Sequence, residues 1–220
     1  ANAFNRMMQR IRRQIKQRTD MLSGVSHDLK TPLTRMKLQL ALMDETDDTR
    51  AIKANLVEME HMIEGYLTFA KGEGGELSRK ENVSFLLSEI GRKWRDGGVA
   101  IDCHVEGYLE MEVKPIAFRR GIDNLISNAN RYAETIWLSA GIRGEVLEIL
   151  VDDDGPGIPE NEREKVFRPF YRIDGSRNTK TGGTGLGLSI SRDVARIHGG
   201  EIYLEDSPYG GLRVRVRLPL

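Results

Sequence analysis

His27, Asp28 and Thr31 stand within five positions of one another in "GVSHDLKTPLTRM". An imidazole is mostly neutral near pH 7 and nucleophilic at one ring nitrogen. A carboxylate next to it can accept a hydrogen bond from the other ring nitrogen's N–H, fixing the tautomer and steadying a developing imidazolium. Thr31 lies four residues past His27, one helical turn away on the same face. A lone helical histidine is more often structural than reactive, so its meaning depends on what else the chain carries.

Three further constellations lie in the carboxyl half. In "DNLISNANRYA", Asn124 and Asn128 are four apart, hence on one helix face. Two uncharged carboxamide oxygens suit a Mg²⁺ ion already carrying phosphates, and Arg131 on the same flank is placed to meet a phosphate. Two isolated asparagines would otherwise be plain helix surface. "VDDDGPGIP" ends an apolar run in carboxylates and glycines. Its carboxylates can accept from an exocyclic amine while the glycines admit a ligand close to the backbone; the same string is also an ordinary strand and turn. "KTGGTGLGLSI" sets glycines ahead of a helix, where free N–H groups and the helix dipole attract anions. It lacks the Lys-Ser/Thr of a P-loop and the βαβ frame of a dinucleotide fold.

The elements that must position these groups follow from periodicity. Apolar residues at Ile11, Ile15, Leu22, Val25, Leu29, Met36, Leu40 and Met43 form one helical seam, and Ile52, Leu56, Met59, Ile63, Tyr66 and Ala70 form another. "DETDDT" between them reads as an acidic turn, so the first seventy residues predict a helical hairpin. A single hairpin leaves apolar seam uncovered, and pairing into a dimeric four-helix bundle covers it. Pro32 is expected to bend the first helix just past His27. "KGEGGELSRKENV" reads as a linker. Beyond it come helix "FLLSEIGRKW", strands "VAIDCHV" and "LEMEV", a helix opened by Pro115, and strands "TIWLSAGI" and "VLEILVDD". A glycine-punctuated stretch with one short helix, the helix from Gly187 and two closing strands complete an α/β domain with a largely antiparallel sheet.

Bulk composition excludes several classes. Lys+Arg and Asp+Glu both total 33, and a zero net charge gives no support to nonspecific nucleic-acid binding. Cys103, the one cysteine, rules out an internal disulfide. No run of eighteen apolar residues reads as a membrane-spanning helix. The start has no signal-peptide pattern and no initiator methionine, so the chain is expected to be a piece of a longer protein.

Taken in order, "SHDLKTPLT", "NLISNANRY", "DDDGPGIP", "FRPFYR" and "GGTGLGL" resemble the H, N, G1, F and G2 boxes of sensor histidine kinases of the EnvZ type. Their catalytic domain belongs with the ATP-binding fold shared by MutL and DNA gyrase B. The resemblance covers the whole chain and implies a dimeric helical hairpin followed by an α/β sandwich of the Bergerat (GHKL) type. It implies residues 1–18 as the end of a HAMP connector, 19–72 as dimerisation and phosphotransfer domain, 73–82 as linker and 83–220 as ATP-binding domain.

Residue by residue, the resemblance makes His27 the phospho-acceptor, Asp28 its tuning carboxylate and Thr31 the hydroxyl that sets water against a regulator's aspartyl-phosphate. Asp153 would bond the adenine amine beside Gly155 and Gly157. Asn128 would be the principal Mg²⁺ ligand, supported by Asn124. Arg131 would contact phosphate and Tyr132 lie near the adenine. Gly183, Gly185 and Gly187 would be the G2 glycines, with Thr184 and Leu186 between them. Residues 158–184 would form a lid anchored by Phe167 and Phe170, with Arg168, Arg172, Arg177 and Lys180 facing phosphates. Asn130 departs from the usual small or apolar residue, and no Ser or Thr follows "RYA"; both bear on the adenine pocket. ATP, Mg²⁺, a second copy of the chain and a response-regulator receiver domain are the implied ligands and partners. The implied location is the cytoplasmic part of a bacterial inner-membrane protein, with membrane attachment only through segments outside this chain. A clamp-type ATPase would not need the H box, and a scaffold that binds a regulator without catalysis would not need all five boxes.

Overall fold

The computed structural model describes residues 28–53, 55–57, 59, 76–173 and 184–220, together with residues 6, 7, 10, 13 and 24. The chain divides into two compact units, Ala1–Gly74 with Gly182–Thr184, and Gly75–Thr181 with Gly185–Leu220.

In the first unit, helix α1 covers residues 28–41 and helix α2 begins at 47. The helix continues unbroken through Pro32, although that residue removes one main-chain donor. The turn between the helices is more ordered than its acidic composition suggests. Thr46 and Thr49 cap α2 reciprocally: the Thr49 amide donates to Thr46 Oγ1 at 3.2 Å, and the Thr46 amide to Thr49 Oγ1 at 2.8 Å. The buried Thr49 hydroxyl also donates to the Asp44 carbonyl at 3.0 Å. Leu33, Leu40 and Leu56 form the small core, and Leu33 lies off the seam read from the sequence. Leu29, Met36, Met43, Ile52 and Met59 remain exposed, a stripe of the kind a second hairpin covers.

The second unit is a helix layer on a five-stranded sheet of order β2-β4-β5-β7-β6. Its elements are α3 (Val83–Asp96), β2 (Ile101–Val105), α4 (Pro115–Tyr132), β4 (Ile136–Arg143), β5 (Val146–Asp153), α5 (Gly187–Ile197), β6 (Glu201–Asp206) and β7 (Leu212–Pro219). β2 runs parallel to β4 and every other neighbour is antiparallel. Two differences from the sequence reading are local. Arg79–Asn82, expected within the linker, is strand β1, paired antiparallel with β3 (Glu110–Val113) in a separate two-stranded sheet. The glycine-punctuated stretch holds two single 3₁₀ turns, Glu160–Glu162 and Lys165–Phe167, where one short helix was expected.

Strict alternation builds the core. Leu147, Ile149 and Val151 of β5 and Leu212, Val214, Val216 and Leu218 of β7 point to the helices. On the opposite face Arg215 bridges Glu148 and Glu205, both at 2.7 Å, and Arg213 grips Asp152 with both arms at 2.7 and 2.9 Å. Helices α4 and α5 meet at Gly121, whose carbonyl accepts from Ser191 Oγ at 2.8 Å. A Cβ there would stand 2.8 Å from Val194 Cγ1.

Gly121→Ala should therefore cost stability by overpacking, roughly 1–3 kcal/mol, and Val194→Ala in the same chain should recover most of the loss. Urea denaturation followed by tryptophan emission isolates this unit, since Trp94 and Trp137 are the only two tryptophans. Additive losses in the double variant would show that the contact is not the cause.

Candidate nucleotide site

The site grows from the parity of β5. Continuing the inward series 147, 149, 151 by one step places Asp153 on the apolar face, while Asp152 turns outward to Arg213. A buried carboxylate requires donors, and the chain supplies two: the amides of Gly155 and Leu212, each at 2.9 Å from Oδ1. Both bonds fall on the same oxygen. Oδ2 keeps its acceptor capacity for another donor. Burial pushes the Asp153 carboxyl above its ordinary range, and these two amides partly offset the shift.

Glycines make this arrangement sterically possible. A Cβ on Gly211 would lie 2.2 Å from Asp153 Oδ1 and 2.5 Å from the Gly155 nitrogen. A Cβ on Gly155 would lie 2.8 Å from the Tyr132 carbonyl. Gly157 has φ +70°, which favours glycine. Gly211 was not identified from the sequence. Its signal there is the Gly210–Gly211 pair in a turn between strands, and no local rule places that turn against β5.

The third aspartate joins this loop to the end of α4. Asp154 Oδ1 accepts from the amides of Glu134 and Thr135 at 2.9 and 3.0 Å, which, led by Thr135, hold its carboxyl below the usual range. The N and G1 boxes are thereby tied together. On α4, Asn124 and Asn128 are half-buried and Arg131 is exposed. Asn124 Nδ2 is buried without a hydrogen-bond partner among the described residues. A carboxamide can present either end by a flip, so this position suits a phosphate oxygen or a hydrated cation. Gly187, first residue of α5, comes within 3.8 Å of the Asn124 carbonyl at its Cβ position, which brings the G2 helix beside the N box.

The F box meets the G2 box through the backbone. The Phe170 amide donates to the Gly185 carbonyl at 2.9 Å. Phe170 has φ +66°, and Gly185 has φ +67° with no room for a Cβ against Phe170. Phe167 is buried, with the Arg192 guanidinium 4.4 Å over its ring. The ring of Phe170 is half exposed, so of the two expected anchors Phe167 holds by its side chain and Phe170 by its main chain. Tyr171 donates to Glu162, which Lys165 also contacts at 2.8 Å; these bonds, led by Lys165, keep the Glu162 carboxyl low. Leu186 is buried, Thr184 and Arg172 are half-buried, and Tyr132 and Arg168 are exposed. His27, Gly183, Arg177 and Lys180 lie outside the described residues, whereas Asp28 and Thr31 sit exposed on α1.

Fold and box geometry together are those of an ATPase-type α/β domain, preceded in the chain by a helical hairpin. Residues 113–220 match the "Histidine kinase-, DNA gyrase B-, and HSP90-like ATPase" family, and residues 17–75 the "His Kinase A (phospho-acceptor) domain". Sensor histidine kinase GtrS of Pseudomonas aeruginosa is 37% identical over 222 residues, covering 100% of this chain and 46% of that protein. CpxA of Escherichia coli is 33% identical over 230 residues, covering 99% and 50%. The chain spans about half the length of these curated relatives. Among solved structures, the histidine kinase domain of the E. coli osmosensor EnvZ aligns with TM-score 0.52 and 32% identity, covering 66% of this chain and 89% of that domain. The ATP-binding domain of PrrB from Mycobacterium tuberculosis aligns with TM-score 0.55 and 29% identity, covering 64% and 96%. The chain belongs to the sensor histidine kinase family.

If Asp153 Oδ2 receives an adenine amine, Asp153→Asn should weaken ATP binding by roughly ten- to a hundred-fold, the loss of one hydrogen bond to a charged group. The fold should survive, because the amide oxygen still accepts from Gly155 and Leu212. A carboxyl whose pKa is raised by folding contributes stability below its unfolded pKa and loses it as pH rises. At pH 7 the variant's urea midpoint should therefore equal or exceed the wild type's, with the gap closing toward pH 4 and below. A lower midpoint at pH 7 would show that the ionised carboxylate stabilises the fold.

Proposed function

We propose that this chain is the catalytic portion of a two-component sensor: it transfers the γ-phosphoryl of ATP to His27 and then to an aspartate of a response-regulator receiver domain. The observation that carries the reading is Asp153. Its Oδ1 accepts from two backbone donors, which leaves Oδ2 to a ligand amine, in an ATPase-type domain that shares its chain with a phospho-acceptor domain. We assign residues 19–72 to dimerisation and phosphotransfer, 73–78 to the linker, 79–220, from strand β1 onward, to ATP binding and 1–18 to a connector helix that joins further, membrane-attached segments. The exposed apolar stripe on the hairpin supports a homodimer.

Asp153 selects the purine amine, with Tyr132 beside the ring. Gly155, Gly157, Gly185 and Gly187 bring backbone close to the nucleotide, and Arg131 and Arg172 meet phosphate charge. The residues present fit a divalent cation: Asn128 and Asn124 would hold Mg²⁺, which supplies charge neutralisation to the phosphates when bound. An imidazole nitrogen of His27 attacks the γ-phosphorus. A phosphorus–nitrogen bond forms as the bond to the bridging oxygen breaks, and ADP leaves. Asp28 keeps the proton on the other ring nitrogen and stabilises the imidazolium. Thr31, exposed on α1 and four residues after His27 in the sequence, orients water against the aspartyl-phosphate of the regulator, which gives the chain phosphatase activity as well.

Incubation with γ-labelled ATP should place acid-labile, base-stable label on the wild-type chain and none on His27→Gln; label persisting in that variant would make another residue the acceptor. Thr31→Ala should keep the autophosphorylation rate within about threefold while phosphatase activity toward a phosphorylated receiver falls at least tenfold, since removing one positioned group costs on the order of 10²-fold. Equal losses in both assays would reduce Thr31 to a structural role.

A further inference from the structure

The helix that carries the asparagine box has no cap of its own. Lys114 at the N-cap position makes no side-chain cap bond, and the first turn of α4 contains no acidic residue. Such a turn leaves amide donors without partners. Here they are satisfied from a distance. The amides of Ile116 and Ala117 donate to Glu76 Oε1 and Oε2 at 2.7 and 3.1 Å, across 40 and 41 residues of sequence. The Lys114 amide donates to His198 Nε2 at 2.9 Å, and the other ring nitrogen of His198 faces the Val194 carbonyl at 2.7 Å.

Glu76 also occupies a particular place in the chain. It comes three residues before β1, and β1 pairs with the strand that leads directly into Lys114 and α4. The stretch from Glu76 to Arg79 is thus held to the base of α4 twice, by the Glu76 carboxylate and by the pairing of Arg79 with Val113. A carboxylate there also meets the positive end of the α4 dipole, so the attachment is electrostatic as well as directional.

We propose that Glu76 is a positioning residue: it fastens the linker to the first turn of α4, fixes where the ATP-binding unit begins, and so sets the reach between its nucleotide and His27. This rests on the phosphoryl-transfer reading above. Without the Glu76 bonds the first hydrogen-bonded anchor among the described residues of this segment becomes Arg79 in β1. Three freed residues add up to ~10 Å of reach. Longer reach lowers the effective concentration of one unit at the other, and phosphoryl transfer is sensitive to small errors of alignment. The nucleotide site itself lies further along α4 and keeps all its own contacts.

The test uses the whole chain with Glu76→Ala and the milder Glu76→Gln, which keeps one acceptor. In Glu76→Ala, hydrogen exchange at the Ile116 and Ala117 amides should quicken at least tenfold. ATP affinity should stay within twofold, and the autophosphorylation rate at saturating ATP should fall three- to tenfold, with Glu76→Gln between. A six-residue Gly-Ser insertion between Gly74 and Gly75 should lower the rate similarly without altering exchange at those amides. Unchanged exchange in Glu76→Ala, an unchanged or faster rate, or a loss of ATP affinity matching the loss of rate would each overturn the proposal. A wild-type chain that takes no label on His27 instead overturns the phosphoryl-transfer reading, and with it the part Glu76 plays in reach, while the exchange measurement still decides whether the fastening exists.

Discussion

The ATP-binding unit is organised around one buried carboxylate. Asp153 sits where strand alternation would put a Val or Leu, and ionised groups are expensive there unless backbone donors reach them. Those donors come from the turn just after it and from the start of β7, both on Oδ1. That geometry needs Gly211 and Gly155 to have no side chains, and it needs β7 beside β5. Both internal donors fall on Oδ1, so Oδ2 takes no part in holding the loop.

The three successive aspartates show how one tripeptide serves three layers. Asp152 faces outward and is held by Arg213, which keeps β5 in register with β7. Asp153 faces inward and accepts from the amides of Gly155 and Leu212. Asp154 has left the strand and holds the turn that follows α4. Truncating Asp152 would leave Arg213 without its bidentate acceptor, truncating Asp153 would leave the Gly155 and Leu212 amides without theirs, and truncating Asp154 would leave the turn after α4 without its acceptor. The same division runs through α4: its inner face packs in the core, Gly121 admits α5, and the flank with Asn124 and Asn128 meets the glycine box.

Both units hold their helix ends with residues that are hard to see locally. Thr46 and Thr49 form a reciprocal cap inside what composition alone marks as an acidic turn. Helix α4 takes its cap from Glu76 and His198, tens of residues away on either side. The first is a four-residue pattern and is readable once it is sought. The second exists only because β1 pairs with β3 and α5 ends beside the start of α4.

Periodicity and motif order in the sequence determined the two-part architecture, nearly every strand and helix of the second unit, and the boxes whose residues converge. They did so because alternation with period 2, helical spacing and glycine placement are local consequences of backbone geometry. Sequence alone did not reveal that Arg79–Asn82 is a strand, since a short polar segment becomes one only when β3 offers it a partner. Nor did it reveal Gly211, whose lack of a side chain matters only because β7 lies against Asp153. Leu33 rather than the seam residue Met36 is buried with Leu40 and Leu56 for a similar reason: burial depends on which faces of two helices meet, and spacing along one helix does not decide that. Long-range pairing, and the hydrogen bonds it completes, was decided by the tertiary structure.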